Sequence, residues 1–271
     1  MTVDASSLAV IVTGAGGGIG RAMTLGLAKA GVRVAAAELA SRREAADDLM
    51  QHAGSQGLQD RIAVVPCDVT DAADCAAAVR TAIDRFGGVH GLVNNAAIGM
   101  QNIGPVQVGT RKKFFEVGAD TWCASITTNV CGPYLMARAI APVLVEQGWG
   151  RIVNITTSHF TMVMEGFSPY GPSKAALEAA SVIWAKDLAG TGVTVNVLVP
   201  GGPANTRMIP LSEVPDRSTL IQPEAMVEPI CWLMSPASDG VTGRRIIAKD
   251  WNAAQAREAP TQVGAPAGWP T

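Results

Sequence analysis

Tyr170 and Lys174 stand four residues apart in the run YGPSK, a spacing that puts both side chains on one face if the segment opens a helix. A phenol in water titrates near about pH 10 and is a poor base at neutrality. An adjacent ammonium stabilises the phenolate, so this pair could trade a proton with a substrate oxygen. Pro172 fits such a helix only in its first turn, where a missing N–H is tolerated. Upstream, Thr157 and Ser158 end the run NITTS and offer hydroxyls that both donate and accept.

A second set of residues has the character needed to hold a dinucleotide. Gly14, Gly18 and Gly20 fall in LAVIVTGAGGGIGRAM, with Ile19 between the last two. Residues without a Cβ let the backbone approach a pyrophosphate at a helix N-terminus. The spacing is G-x-x-x-G-x-G rather than G-x-G-x-x-G. Glu38 closes the next apolar run, twenty residues beyond Gly18, where a carboxylate accepts hydrogen bonds from an adenosine ribose diol. That carboxylate would repel a 2′-phosphate, and Leu39 rather than a base follows it, so NAD is expected over NADP. Arg42 and Arg43 are close enough to keep NADP open; their plain alternative is a solvated helix start.

These residues need a scaffold, and the apolar pattern supplies one. Short apolar runs at 8–12, 32–37, 62–66, 91–95, 151–155 and 193–199 read as buried strands. Segments with helical spacing at 19–30, 41–53, 71–86, 121–147, 173–190 and 223–235 lie between and after them. Strict alternation predicts an α/β protein with a doubly wound, mostly parallel sheet that gathers ligands at its carboxyl edge. A single domain over 1–258 is expected, followed by a Pro/Gly/Ala-rich tail at 259–271 that is mobile or docked. The polar stretch 96–120 and the Pro/Gly-rich stretch 200–222 interrupt the regular pattern. The second follows a strand end and is expected to be a substrate loop.

A net charge of −2, with 16% charged residues, leaves no electrostatic footprint for nucleic acid or an anionic membrane. Five cysteines without a C-x-x-C pair suggest neither a zinc site nor a disulfide framework. No metal is expected, and a cytoplasmic protein with a small-molecule partner is. The first residues lack a basic leader pattern, and no apolar stretch is long enough to span a bilayer.

Over residues 8–250 the ordered motifs resemble those of the short-chain dehydrogenase/reductase family. They are TGAGGGIG (13–20), CDV (67–69), NNAA (94–97), Asn129, NITTS (154–158), YGPSK (170–174) and the pair Pro200 and Gly201. The resemblance implies a Rossmann-type fold, a nicotinamide cofactor and a homodimer or homotetramer. It also implies that Asp68 and Val69 flank the adenine ring and that Asn94 with Asn95 steadies the central strand against the cofactor. Pro200 and Gly201 look like the turn beside the nicotinamide. Asn129 resembles the family residue that holds a water in the proton path behind the lysine. Ala97 stands where the family usually has glycine, which would narrow the pocket floor.

The family's substrate-orienting hydroxyl normally lies thirteen residues before the tyrosine, as a serine. Position 157 is a threonine and the serine is at 158, so either hydroxyl is a candidate. Hydride would pass between the nicotinamide and a secondary alcohol or ketone while Tyr170, assisted by Lys174, exchanges the proton. His159 is expected as a packed residue or substrate contact, and Arg111, Lys112 and Lys113 as a solvated face. Phe160, Met162, Met164, Phe167, Met208 and Ile209 would give an apolar, adaptable cleft if they line it. An NADPH-dependent ketoreductase is the nearest alternative. A non-catalytic dinucleotide sensor on the same fold is the more distant one.

Overall fold

The computed structural model describes residues 5–105, 109–212 and 214–269. Parts of the expected 96–120 and 200–222 loops, of the N-terminal start and of the tail fall on 1–4, 106–108, 213 and 270–271, outside the described residues. The chain runs β1 (Ala9–Thr13), α1 (Gly18–Lys29), β2 (Arg33–Glu38), α2 (Arg43–Ser55), β3 (Ile62–Pro66), α3 (Ala72–Phe86) and β4 (Gly91–Asn94). It continues α4 (Ala119–Ile126), α5 (Gly132–Glu146), β5 (Gly150–Ile155), α6 (His159–Met162), α7 (Tyr170–Asp187) and β6 (Val193–Val199). It closes with α8 (Val227–Leu233), β7 (Arg244–Ile247), α9 (Ala253–Glu258) and β8 (Ala265–Pro266).

The eight strands form one sheet in the order β3-β2-β1-β4-β5-β6-β7-β8. All pairings are parallel except β7 with β8. Every residue of β1, β5 and β6 is buried, as expected of strands covered on both faces. Alternation along β1 shows the two layers. Val10 and Val12 pack with Met23 and Leu27 of α1 and Ile230 of α8, whereas Ala9 and Ile11 pack with Val79 of α3 and Ile140 of α5. Strand order reverses between β1 and β4, which opens a crevice at their carboxyl ends.

Two strands escape the apolar pattern. β7 has four residues and begins with two arginines, and β8 has two residues, so neither carries a readable period. β8 docks the described part of the segment after 259, paired at Arg244↔Pro266 and Arg245↔Ala265. The expected helix at 121–147 is interrupted by a π-helical turn at Thr127–Cys131, a feature that often marks a functional position. The helix expected over 223–235 begins as a 3-10 turn, Pro223–Met226, before α8. No helix among the described residues is long and apolar enough to cross a membrane.

Candidate active site

The glycine turn follows β1 and is held by β4. Gly14 adopts φ +62, and a Cβ there would lie 2.9 Å from Ala96 Cα. A Cβ on Gly20 would lie 2.1 Å from the Gly14 carbonyl oxygen, so both positions exclude a side chain. Asn95 Nδ2 donates to the carbonyls of Thr13 and Gly14 at 2.9 and 3.1 Å. Thr13 Oγ1 accepts from the N–H groups of Asn95 and Ala96, each at 3.0 Å. Asn94 Nδ2 reaches across to Asn154 Oδ1 at 2.9 Å. The two asparagines therefore tie β4 to β1 on one side and to β5 on the other.

Glu38 ends β2 only 5% exposed, and its carboxylate accepts from the N–H groups of Gly16 at 2.9 Å and Leu39 at 3.1 Å. Arg42 lies 3.7 Å away, while Arg43 is solvated and pairs with Asp47. Leu39 is partly exposed beside this carboxylate, and Ile19 packs against the core below the turn. A cleft of about 470 Å³ opens here, lined in part by Gly16, Gly17, Gly18, Arg21 and Thr206. A turn stripped of side chains, at a helix N-terminus beside an open cleft, fits a dinucleotide's pyrophosphate.

The other expected cofactor contacts ring the same edge. Asp68 Oδ1 accepts from the N–H and hydroxyl of Thr70, which fixes the turn leading to α3, and Val69 is buried next to it. The Pro200 carbonyl accepts from the Lys249 N–H at 3.1 Å, which ties the start of the 200–222 loop, with Gly201, to the end of β7.

Across the crevice, α7 begins at Tyr170, with Pro172 in its first turn. Tyr170 and Lys174 share a face and are both buried, with Lys174 Nζ 5.9 Å from the Tyr170 ring centroid. Lys174 Nζ donates to the Ile155 carbonyl at 2.8 Å. Burial pushes the Tyr170 phenol up to about 12, against the opposing pull of a hydrogen bond with Thr157. Burial pushes the Lys174 ammonium down to about 8. At neutral pH the chain by itself holds a protonated phenol beside a mostly charged lysine.

The two hydroxyls left open by spacing take different places. Thr157 is near enough to the Tyr170 phenol to pull its titration down, against burial. Ser158 caps α6, accepting from the Thr161 N–H at 3.0 Å and sharing a hydrogen bond with Thr161 Oγ1 at 2.7 Å. Asn129 sits on the π-helical turn, fully buried. Its Oδ1 accepts from the Ile98 N–H at 2.8 Å, and its Nδ2 donates to the Ile98 carbonyl and to Ser173 Oγ, each at 3.0 Å. Ser173 Oγ in turn donates to the Tyr170 carbonyl at 2.7 Å, so Asn129 links the loop after β4 to the first turn of α7.

A small apolar cluster covers the phenol: Met100 and Ile103, with Phe167, Val117 and Met208 packed on it. Of the residues expected to make an apolar cleft, Phe167 and Met208 join this cluster. Met162, Met164 and Phe167 also line a separate, mostly apolar cleft of about 330 Å³, Ile209 lines the 470 Å³ cleft, and Phe160 is 72% exposed. Arg111 does not simply point into water: its guanidinium lies 4.5 Å from the Phe167 ring centroid and 3.1 Å from Met164 Sδ. Lys113 pairs with Glu165. Met100, Ile103 and Thr13 had no assigned role from the sequence; only the fold shows what each touches.

Residues 8–213 match the family model for short chain dehydrogenases. The chain belongs to the short-chain dehydrogenase/reductase family. It is 30% identical to the 3-oxoacyl-[acyl-carrier-protein] reductase FabG of Thermotoga maritima, over 87% of this chain and 94% of that one. It is 36% identical to Nodulation protein G of Azospirillum brasilense, over 70% and 72%. Among solved structures it superposes on a short-chain type dehydrogenase/reductase from Mycobacterium marinum with TM-score 0.77 and 25% identity, covering 90% of this chain and 94% of that one. A 3-ketoacyl-(acyl-carrier-protein) reductase from Brucella melitensis, complexed with NADH, gives TM-score 0.74 and 25% identity over 88% and 95%. As a short-chain dehydrogenase/reductase with this sheet, the protein is an oxidoreductase with a Rossmann-type fold.

Proposed function

We propose that this oxidoreductase moves a hydride between NAD(H) and a secondary alcohol or ketone, with Tyr170 as general acid and base. The observation that carries the reading is the buried pair Tyr170 and Lys174, with half-buried Thr157 next to the phenol, beside the glycine crevice. Gly14, Gly18, Ile19, Gly20, Glu38, Leu39, Asp68, Val69, Asn95, Pro200 and Gly201 would hold the dinucleotide, which supplies the hydride acceptor or donor. Thr157 orients the substrate oxygen against the phenol, while Ser158 serves the fold as a helix cap. Tyr170 gives its proton to the nascent alkoxide in reduction and takes it back in oxidation. A positive charge near the phenol, from Lys174 and from the oxidised cofactor, lowers the cost of the phenolate in the second direction. Asn129 supports the proton path by fixing the first turn of α7. The apolar cover over Tyr170 favours a bulky, largely apolar substrate. A cytoplasmic homodimer or homotetramer with no metal, membrane or nucleic-acid partner completes the reading.

Glu38 supports NAD because its carboxylate stands where a 2′-phosphate would need a cation. An NADPH-dependent ketoreductase remains the second reading. Arg42 favours it, being within 3.7 Å of Glu38. Purified protein should oxidise members of a secondary-alcohol panel with NAD, followed by NADH absorbance. Tyr170→Phe should remove turnover and keep NADH binding. Preference for NADPH would overturn the NAD assignment, and tight NADH binding with no turnover across alcohols and ketones would leave a dinucleotide sensor.

A further inference from the structure

Behind the Thr157 loop lies a buried ion pair that the proposed chemistry does not use. Glu178 is on α7, eight residues beyond Tyr170, and is fully buried; Arg245 of β7 is 6% exposed. Their Nη1–Oε2 separation is 2.6 Å. Thr156 Oγ1 donates to the same carboxylate oxygen at 2.8 Å. The second guanidinium nitrogen of Arg245 donates to the Thr157 carbonyl.

The C-terminal segment closes this group from outside. The Gly268 N–H donates to Glu178 Oε1 at 3.2 Å, and the Trp269 ring lies 5.2 Å from that of His159. Gly264, at φ +67, approaches so closely that a Cβ would be 2.3 Å from the Arg245 carbonyl oxygen. β8 then pairs with β7 through Arg244 and Arg245.

A buried ion pair is weak evidence for stability, because desolvation consumes much of the Coulombic gain. What Arg245 grips is more telling. Thr156 and Thr157 lie between the end of β5 and the start of α6, where the chain leaves the sheet. A planar guanidinium anchored on Glu178 holds the Thr157 carbonyl in direction as well as distance, and this fixes the stretch of backbone from which the Thr157 side chain springs. We propose that Arg245, seated on Glu178, is a positioning residue that holds the Thr157 hydroxyl against Tyr170, and that the segment through Trp269 locks that seat. This rests on the functional reading above in giving Thr157 a role in turnover.

The test compares Arg245→Met, the double variant Arg245→Met/Glu178→Met and Trp269→Ala in the full chain. The double variant leaves no lone buried charge and guards against simple unfolding of the single one. Expected are unchanged NADH affinity and substrate KM with kcat lower by about 10- to 100-fold, the scale of a misplacement near 1 Å. In a Thr157→Val background the same change should have little further effect, because both act through one hydroxyl. A full additional loss there, or an unchanged kcat in the double variant, overturns the proposal. Trp269→Ala should lower kcat in the same sense by less, and no change removes the tail from the device. Hydrogen exchange reads the coupling without turnover. Residues 156–161 and 265–269 should both exchange faster in the double variant, and unaltered exchange would overturn the proposal even if no substrate were ever found. If wild-type protein binds NADH without turnover while the double variant still exchanges faster at 156–161 and 265–269, the functional reading falls and the coupling stands.

Discussion

Around β1, β2 and β4 the crevice is shaped by backbone: Gly14 and Gly20 exclude any side chain, and the Asn95 amide grips two carbonyls of the turn. Around β5, β6 and β7 the corresponding shaping falls to side chains, many of them ionisable and buried, including Tyr170, Lys174, Glu178 and Arg245. The first half is held mainly by backbone groups and tolerates no added methyl at Gly14 or Gly20. The second can be tuned by substitution, at the cost of holding charges away from water. In the proposed reading, dinucleotide binding, which needs close backbone approach, falls to the first half, and proton exchange, which needs a shifted titration, to the second.

The contrast breaks most visibly at Tyr170. Replacing it with Phe should lower kcat by about 10³- to 10⁴-fold, the upper range for a lost acid–base group, while NADH titration by fluorescence stays unchanged. Thr157→Val should cost about a hundredfold in kcat, of the order seen when one hydrogen bond to a reacting oxygen is removed. Steady-state kinetics in which Ser158→Ala proves the more damaging would reverse the assignment of the two hydroxyls. On the other half, Gly20→Ala should act through binding, weakening NADH about a hundredfold, or roughly 2.7 kcal/mol. Calorimetry showing normal NADH affinity in that variant would mean the turn is not the pyrophosphate cradle.

Lys174 gives the side-chain half a pH signature. The unfolded lysine keeps its proton to about 10.5, but the buried one only to about 8. Between these values the unfolded chain binds more protons, so stability rises as the pH climbs from 8 towards 10. Tyr170 contributes the opposite sign above that window, because its folded phenol keeps a proton to about 12 while the unfolded one loses it near 10. Urea unfolding should show Lys174→Met more stable relative to wild type at pH 7, the gap narrowing by about 2 kcal/mol by pH 9.5. A gap independent of pH would place the ammonium in contact with solvent. The smallest effect is expected from Ser158→Ala, about 1 kcal/mol of stability for a lost helix cap with kcat unchanged.

Much of this was readable from residue order because its causes are local. A glycine turn between an apolar run and a helix, a carboxylate at the next strand end, and a phenol and an amine one helical turn apart all declare themselves within a few residues. The alternation of strands and helices likewise implies the parallel sheet, through the handedness of its crossovers. Tertiary structure decided the rest, where partners are distant in sequence. Spacing points to Thr157 and residue type to Ser158; the two separate because α6 claims Ser158 as its cap while Thr157 acts on the Tyr170 phenol. Arg245 looks like one more surface cation until β7 carries it under α7, 67 residues from Glu178. β8 has no propensity of its own, and it exists because β7 offers an edge and the tail is long enough to reach it.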